Sequence, residues 1–226
     1  MVINLLNLFF PKVCYACTTL LADNERHICT VCRHGLPVTN YHFEDNDTVK
    51  KILYGRQKIE EATALLKFHK RGIVQQLLHN LKYKGHDVIS EVLGEWLGNE
   101  LKSVEKYKAV DLVIPVPLHK RKLRKRGYNQ VAKFGHEIAK ALNVPYLDNV
   151  LIKTSTTKTQ VFKKRIARWN NFEEVFTIKN LDLIKGKHIL LVDDIITTGA
   201  TMEACANVLN KAENIKISIA TMAIAE

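Results

Sequence analysis

Four cysteines near the start of the chain and two adjacent aspartates near its end are the residues best placed by type and spacing to do chemistry. Cys14 and Cys17 form one C-x-x-C pair and Cys29 and Cys32 a second, with eleven residues between the pairs. Each two-residue turn can direct two thiolates at one ion, and the intervening loop folds back to bring in the second pair. Four thiolates close a tetrahedral structural zinc site. Such a site supplies folding energy that a short segment cannot draw from a core of its own. His27 and His34 lie close enough to compete as ligands, but four cysteines already saturate the ion. Redox or iron–sulfur chemistry is the alternative use of these thiols. Disulfides are disfavoured because no export signal precedes the pairs. Cys205 lies alone on an apolar helical face and reads as a small core residue.

The second constellation spans residues 189–201. An apolar run, Ile189, Leu190, Leu191 and Val192, ends in Asp193 and Asp194, followed by Thr197, Thr198, Gly199, Ala200 and Thr201. This pattern predicts a buried strand, a small hydroxyl-bearing loop and the opening of a helix. In an open α/β sheet ligands bind beyond the carboxyl ends of the strands. Backbone N–H groups at a helix start form an anion site, and the threonine hydroxyls add donors. Gly199 lets the backbone approach a ligand closely. Asp193 and Asp194 are placed to accept hydrogen bonds from ribose hydroxyls or to hold a magnesium-bound sugar. A Walker-type site is disfavoured because the chain has no G-x-x-x-x-G-K-[ST] loop, and a dinucleotide fold because no G-x-G-x-x-G follows a strand.

The elements that must carry these residues follow from apolar periodicity. Residues 59–68, 73–81 and 88–101 show helical spacing. A short buried strand at residues 111–117 is stopped by Pro115 and Pro117. A helix is expected over 127–142, a buried strand over 187–195, a helix over 201–211 and a last strand over 215–225. Strands alternating with helices predict an α/β fold, a parallel sheet flanked by helices. The expected divisions are a four-cysteine zinc-binding module at 1–37, a mainly helical connector region at 38–103 and an α/β domain at 104–226. Residues 38–47 read as a polar connector within the second of these. The apolar stretch 1–11 reads as a short packed helix: it lacks a basic leader and a cleavage site, and no run of roughly 20 apolar residues exists to span a membrane.

The chain has 226 residues, 46% of them hydrophobic, and a formal charge of +11, a balance that favours anionic partners. The charge concentrates after the first strand, where Lys120, Arg121, Lys122, Arg124, Lys125 and Arg126 follow His119. Six cations exceed the need of one diphosphate, so a nucleic-acid track along Arg121, Lys122, Arg124, Lys125 and Arg126 is a second role for this run. Tyr128 offers either a stacking face or a core ring. Lys82 and Lys84 either add to this field or cover an exposed helix end.

Residues 189–201 resemble the 5-phosphoribosyl-1-pyrophosphate (PRPP) motif of type I phosphoribosyltransferases. The resemblance implies that Asp193 and Asp194 hold the ribose hydroxyls, and that Thr197, Thr198, Gly199, Ala200 and Thr201 hold the 5-phosphate. Residues 113–120 are similar to that family's first strand and pyrophosphate loop, with Pro117, Leu118, His119 and Lys120 in the loop. Residues 157–176, including Thr159, Gln160, Arg165, Asn170, Asn171 and Phe172, resemble its mobile catalytic loop, with Arg165 the catalytic candidate. The Pro-Val-Pro and Arg-Gly-Tyr-Asn-Gln patterns, joined to a double C-x-x-C, resemble the ComF (competence-associated) family. That likeness implies a cytoplasmic protein with structural Zn²⁺ and a Mg²⁺·PRPP or related sugar-phosphate ligand. It further implies phosphoribosyl transfer to an unidentified acceptor and a role in DNA uptake alongside DNA-uptake proteins. The alternative is a non-catalytic nucleotide- or single-strand-DNA-binding protein.

Overall fold

A computed structural model of the chain describes residues 11–44, 46–154 and 175–225. The expected helix at 1–11, apart from Pro11, and the loop carrying Thr159, Gln160, Arg165, Asn170, Asn171 and Phe172 lie outside the described residues.

Four strands form a parallel sheet in the order β1 (Ala62–Phe68), β6 (Lys216–Ala225), β5 (His188–Ile196), β2 (Leu112–Pro115). The long strands are apolar on both faces. In β5 every residue but Ile195 is buried, as expected of a parallel strand covered on two sides. Pairing runs from His188 opposite Lys216 to Ile196 opposite Ile224, and Pro115 stands opposite Val192. This register brings the carboxyl ends of β2 and β5 to one side of the sheet.

The layers divide by strand alternation. Val113, Leu190, Val192, Ala220 and Met222 face one core, shared with α3 (Ile73–Tyr83), α4 (Val88–Lys102) and α6 (Ala132–Leu142). Leu112, Ile114, Ile189, Leu191, Ile217 and Ile219 face the other, closed by α7 (Ala200–Leu209) and α2 (Thr48–Lys51). Helices α4 and α6 approach closely because Gly94 and Gly98 face the partner: a Cβ at Gly94 would stand 2.6 Å from the Phe134 carbonyl oxygen. Cys14, Ile28, Cys29, Cys32 and Leu36 pack into the same core as α3 and α4, together with the helix α1 (Thr30–His34). The cysteine segment is therefore seated on the α/β body, and Asn80 Nδ2 donates to the Tyr15 carbonyl at 2.6 Å across that seam.

One expectation is overturned. Residues 59–68 do not form a helix; Ala62–Phe68 is strand β1. Ala62, Leu65 and Leu66 fit helical spacing, but Thr63 and Ala64 between them are buried too. A run buried on both faces satisfies either periodicity, and partners decide it. Here β6 pairs along one side of β1, while Thr39 N donates to Leu65 O at 3.0 Å and Lys67 N to Pro37 O at 2.8 Å on the other. Residues 37–39, at the start of the expected polar connector, thus cover an edge that would otherwise expose a row of backbone groups.

The basic run also differs from expectation. It does not merely lead into a helix but is itself one, α5 (Lys120–Arg126). Gly127, at φ +86, ends it and separates it from α6. Apart from the sheet, β3 (Leu151–Thr154) and β4 (Val175–Ile178) pair as an antiparallel ribbon.

Candidate functional site

Strand β5 carries Asp193 and Asp194 to the carboxyl end of the sheet, and both side chains are buried. Asp193 Oδ1 accepts the Asp194 N–H at 2.8 Å. Asp194 Oδ2 accepts from Gln130 Nε2 at 2.8 Å and pairs with Lys82 Nζ at 2.9 Å. Burial, and after it the neighbouring Asp194 carboxylate, pushes Asp193 well above the usual carboxylate range. The Asp194 N–H and the ammoniums of Lys82 and Lys153 pull the other way without prevailing.

Immediately beyond, residues 197–199 turn into α7. Gly199 sits at φ +77 as the N-cap, and no side chain caps the helix. Its first-turn N–H groups have no intrahelical acceptor, which leaves a concentration of positive dipole ends. Thr197, Thr198 and Ala200 are exposed, Thr201 is half-buried and Gly199 between them is buried, so the loop is accessible on its threonine side. A Cβ at Gly199 would lie 2.8 Å from Ile52 Cγ2 and 2.9 Å from Leu53 Cδ2, so only glycine fits against that turn.

Across from β5, the loop after β2 contains Pro117, Leu118 and His119, all half-buried, and leads into the exposed Lys120, the first residue of α5 rather than a loop residue. Val116 N donates to Val192 O at 2.8 Å, which fixes this loop beside the aspartates. His119 Nδ1 accepts the Arg121 N–H at 3.2 Å and caps α5. Asn129 Nδ2 donates to Val116 O at 3.1 Å from the other side. The structure thus gathers 117–120, Asp193, Asp194 and 197–201 at one end of the sheet.

Arg121, Lys122, Arg124 and Lys125 are exposed on α5 and do not enter the aspartate site. Arg126 turns inward, donating to Gln130 Oε1 and lying 5.7 Å from the centroid of the Tyr83 ring. Lys82, Tyr83, Gly85, Lys122, Lys125 and Arg126 line a cleft of about 290 Å³. Of the two readings of Tyr128, the core ring holds: it is half-buried and its hydroxyl donates to the Leu81 carbonyl. Lys84 lies exposed, whereas Lys82 enters the site. The sequence did not place Gln130 and Lys153 at the aspartates, and it placed Lys82 only in the cationic field of the basic run or at an exposed helix end. The partner of Gln130 lies far away in the chain.

The four cysteine sulfurs all lie within 4.8 Å of one another. Cys17 Sγ and Cys29 Sγ are 3.7 Å apart, close to the separation of about 3.8 Å that a tetrahedral ion with zinc–sulfur bonds of about 2.3 Å requires. Cys14 Sγ accepts N–H bonds from Ala16 at 3.4 Å and Cys29 at 3.3 Å, and Cys29 Sγ accepts from Cys32 N at 3.4 Å. N–H groups directed at sulfur stabilise thiolates, and Thr19 beside Cys17 brings that thiol down to about 6, whereas burial and the neighbouring sulfurs push Cys32 up. The donor set fits a structural zinc ion. His27 does not join it but stacks on Tyr15 at 5.6 Å. Cys205 is fully buried on α7, as a core residue.

A family model of the phosphoribosyl transferase domain matches residues 132–225, the span that contains the aspartates and the loop. That segment is similar to a phosphoribosyl transferase domain. It is 26% identical over 215 residues to the DNA utilization protein YhgH of Shigella flexneri, covering 88% of this chain and 91% of that protein. It is 29% identical over 202 residues to competence protein ComFC of Bacillus subtilis, covering 88% and 78%. With such homologues and its clustered cysteines, the chain is similar to the ComF proteins. Among solved structures it is similar to the glutamine PRPP amidotransferase from B. subtilis, at 19% identity and a TM-score of 0.38, covering 58% of this chain and 26% of that chain. It thus spans about a quarter of that enzyme's length. Among the described residues no helix is long and apolar enough to cross a membrane.

Proposed function

We propose that the chain binds Mg²⁺·PRPP, or a related phosphorylated sugar, at the carboxyl end of β5. The observation that carries this reading is the immediate succession of two buried carboxylates and an accessible, uncapped helix start. Asp193 and Asp194 accept the ribose hydroxyls; the N–H groups and hydroxyls of Thr197, Thr198, Gly199, Ala200 and Thr201 take the 5-phosphate. Pro117, Leu118, His119 and Lys120 take the pyrophosphate, with Mg²⁺ arriving on the ligand. Transfer of the phosphoribosyl group to an acceptor would proceed mainly through electrostatic stabilisation of the departing pyrophosphate. Arg165 is the catalytic candidate of the loop outside the described residues. The cysteine site holds structural Zn²⁺.

The names of the relatives, DNA utilization and competence proteins, support a role in DNA uptake. A second reading, single-stranded DNA or nucleotide binding without turnover, is favoured by one feature: four exposed cations on α5 beside the cleft that holds Tyr83.

Thermal shift with Mg²⁺·PRPP tests the first reading. Wild type is stabilised, and the Asp193→Asn/Asp194→Asn protein is not. The absence of any shift in wild type would remove the sugar-phosphate site.

A further inference from the structure

Arg56 lies on the turn after α2, 142 residues before the loop it touches. Its Nη2 donates to the Thr198 carbonyl at 2.9 Å, and to the carbonyl of Ile52 on its own turn. Its Nη1 pairs with Glu203 Oε2 at 2.7 Å, one turn into α7. One planar guanidinium thus bridges the loop, the helix that follows it and the α2 turn, the fixed-fork geometry that arginine supplies and lysine does not.

The consequence lies in the peptide between Thr198 and Gly199. No peptide bond among the described residues is cis, so this one is trans and its C=O and N–H point in opposite directions. With the carbonyl held by Arg56, the Gly199 N–H points away from Arg56. The Gly199 carbonyl is in turn committed to the Glu203 N–H at 2.8 Å, which completes the first helical turn. The αL conformation of Gly199 and the absent Cβ allow the wall to close against it.

We propose that Arg56 is a positioning residue for the phosphate loop, holding the Thr198–Gly199 peptide so that its N–H is displayed to an incoming phosphate. It is not itself a phosphate ligand. Both terminal nitrogens already have partners, and Glu203 neutralises the charge. The inference rests on the sugar-phosphate reading of the site and adds the element that orients the loop. Gln57 reinforces the anchoring: its Nε2 donates to Asn207 Oδ1 at 2.6 Å and its Oε1 accepts from Asn210 Nδ2 at 3.0 Å. The turn therefore also grips α7 at Asn207 and at its C-cap, Asn210.

The test is titration of the full chain with ribose 5-phosphate and, separately, with inorganic pyrophosphate, which engages the loop after β2. Arg56→Met is expected to weaken ribose 5-phosphate binding on the order of tenfold, the scale at which outer partners act in ion sites, and to leave pyrophosphate affinity unchanged. Arg56→Lys, which restores charge without the fork, recovers only part of the loss. Glu203→Gln keeps the chain intact and loosens the guanidinium; it shows a smaller loss in the same direction and serves if Arg56→Met does not fold. Wild-type affinity for ribose 5-phosphate in a folded Arg56→Met or in Glu203→Gln overturns the role of Arg56 alone. A wild type that binds neither ligand removes the underlying site, and the role of Arg56 with it.

Discussion

Lys82 Nζ lies 2.9 Å from Asp194 Oδ2, joining the last turn of α3 to the end of β5. The carboxylate is 7% exposed and the lysine side chain 23%, so this pair is held largely away from water, unlike the surface pairs elsewhere on the chain. Gln130 supplies the other donor to the same oxygen, and Arg126 in turn donates to Gln130. Four residues from three parts of the chain therefore form one network around a single acid.

Removing either donor leaves a buried carboxylate half-satisfied. Lys82→Met and Gln130→Leu should each destabilise the protein by about 1.5–3 kcal/mol, the range for hydrogen bonds to charged groups. Because both act on one oxygen, the double variant should lose a different amount from the sum, with a coupling of about 0.5–3 kcal/mol. Urea midpoints of the four proteins check this; strict additivity would contradict a shared role.

The raised ionisation of Asp193 sets a pH dependence. In the unfolded chain its carboxyl ionises near the ordinary value of about 3.9. In the fold it resists ionisation, so its contribution to stability is complete below that pH and is lost as pH rises through the higher folded value. Asp193→Asn keeps an oxygen for the Asp194 N–H. It should stabilise the ligand-free protein at pH 7 relative to wild type, with the advantage vanishing in acid. Calorimetric melting temperatures across pH 4–8 provide the check; an equal advantage at both ends would argue against it.

Gly199 and Gly127 both have positive φ, but of the two only Gly199 has neighbours within 4 Å of where a Cβ would stand. Gly127→Ala should therefore cost about 1–2 kcal/mol of backbone strain alone. Gly199→Ala should add a further 1–3 kcal/mol, on the order expected for overpacking against Ile52 and Leu53. Equal costs, read from denaturant unfolding, would mean the Ile52–Leu53 wall yields freely.

Much of this was legible in the sequence where the residues that act together are also adjacent. The cysteine pairs, the strand–aspartate–loop–helix succession and the strands at residues 188–196 and 216–225 are local patterns. Strand β1 was not, because Ala62, Leu65 and Leu66 satisfy a helical period as well as a buried strand, and the pairing with β6 is remote in sequence. Nor were the contacts of Lys82, Gln130 and Arg56: their site partners lie 64 residues away for Gln130 and 142 for Arg56, and no periodicity encodes such distances. The helical state of residues 120–126 was obscured by nearly uninterrupted cationic side chains that carry no apolar stripe.

Purified protein should contain about one equivalent of zinc, and Cys14→Ser should lower the melting temperature more than Cys17→Ser. Cys14 is fully buried and its sulfur accepts two N–H groups, whereas Cys17 is exposed. Elemental analysis with thermal melts measures both. Less than about half an equivalent, with unchanged stability in Cys14→Ser, would contradict a structural ion.

The central claim is that the loop after the paired aspartates holds a phosphorylated sugar. A crystal soaked with Mg²⁺·PRPP tests it most directly. The 5-phosphate is expected within hydrogen-bonding distance of the backbone nitrogens of residues 197–201, with the ribose hydroxyls on Asp193 and Asp194. Ligand bound only along α5, or a loop left empty at saturating ligand, would contradict it.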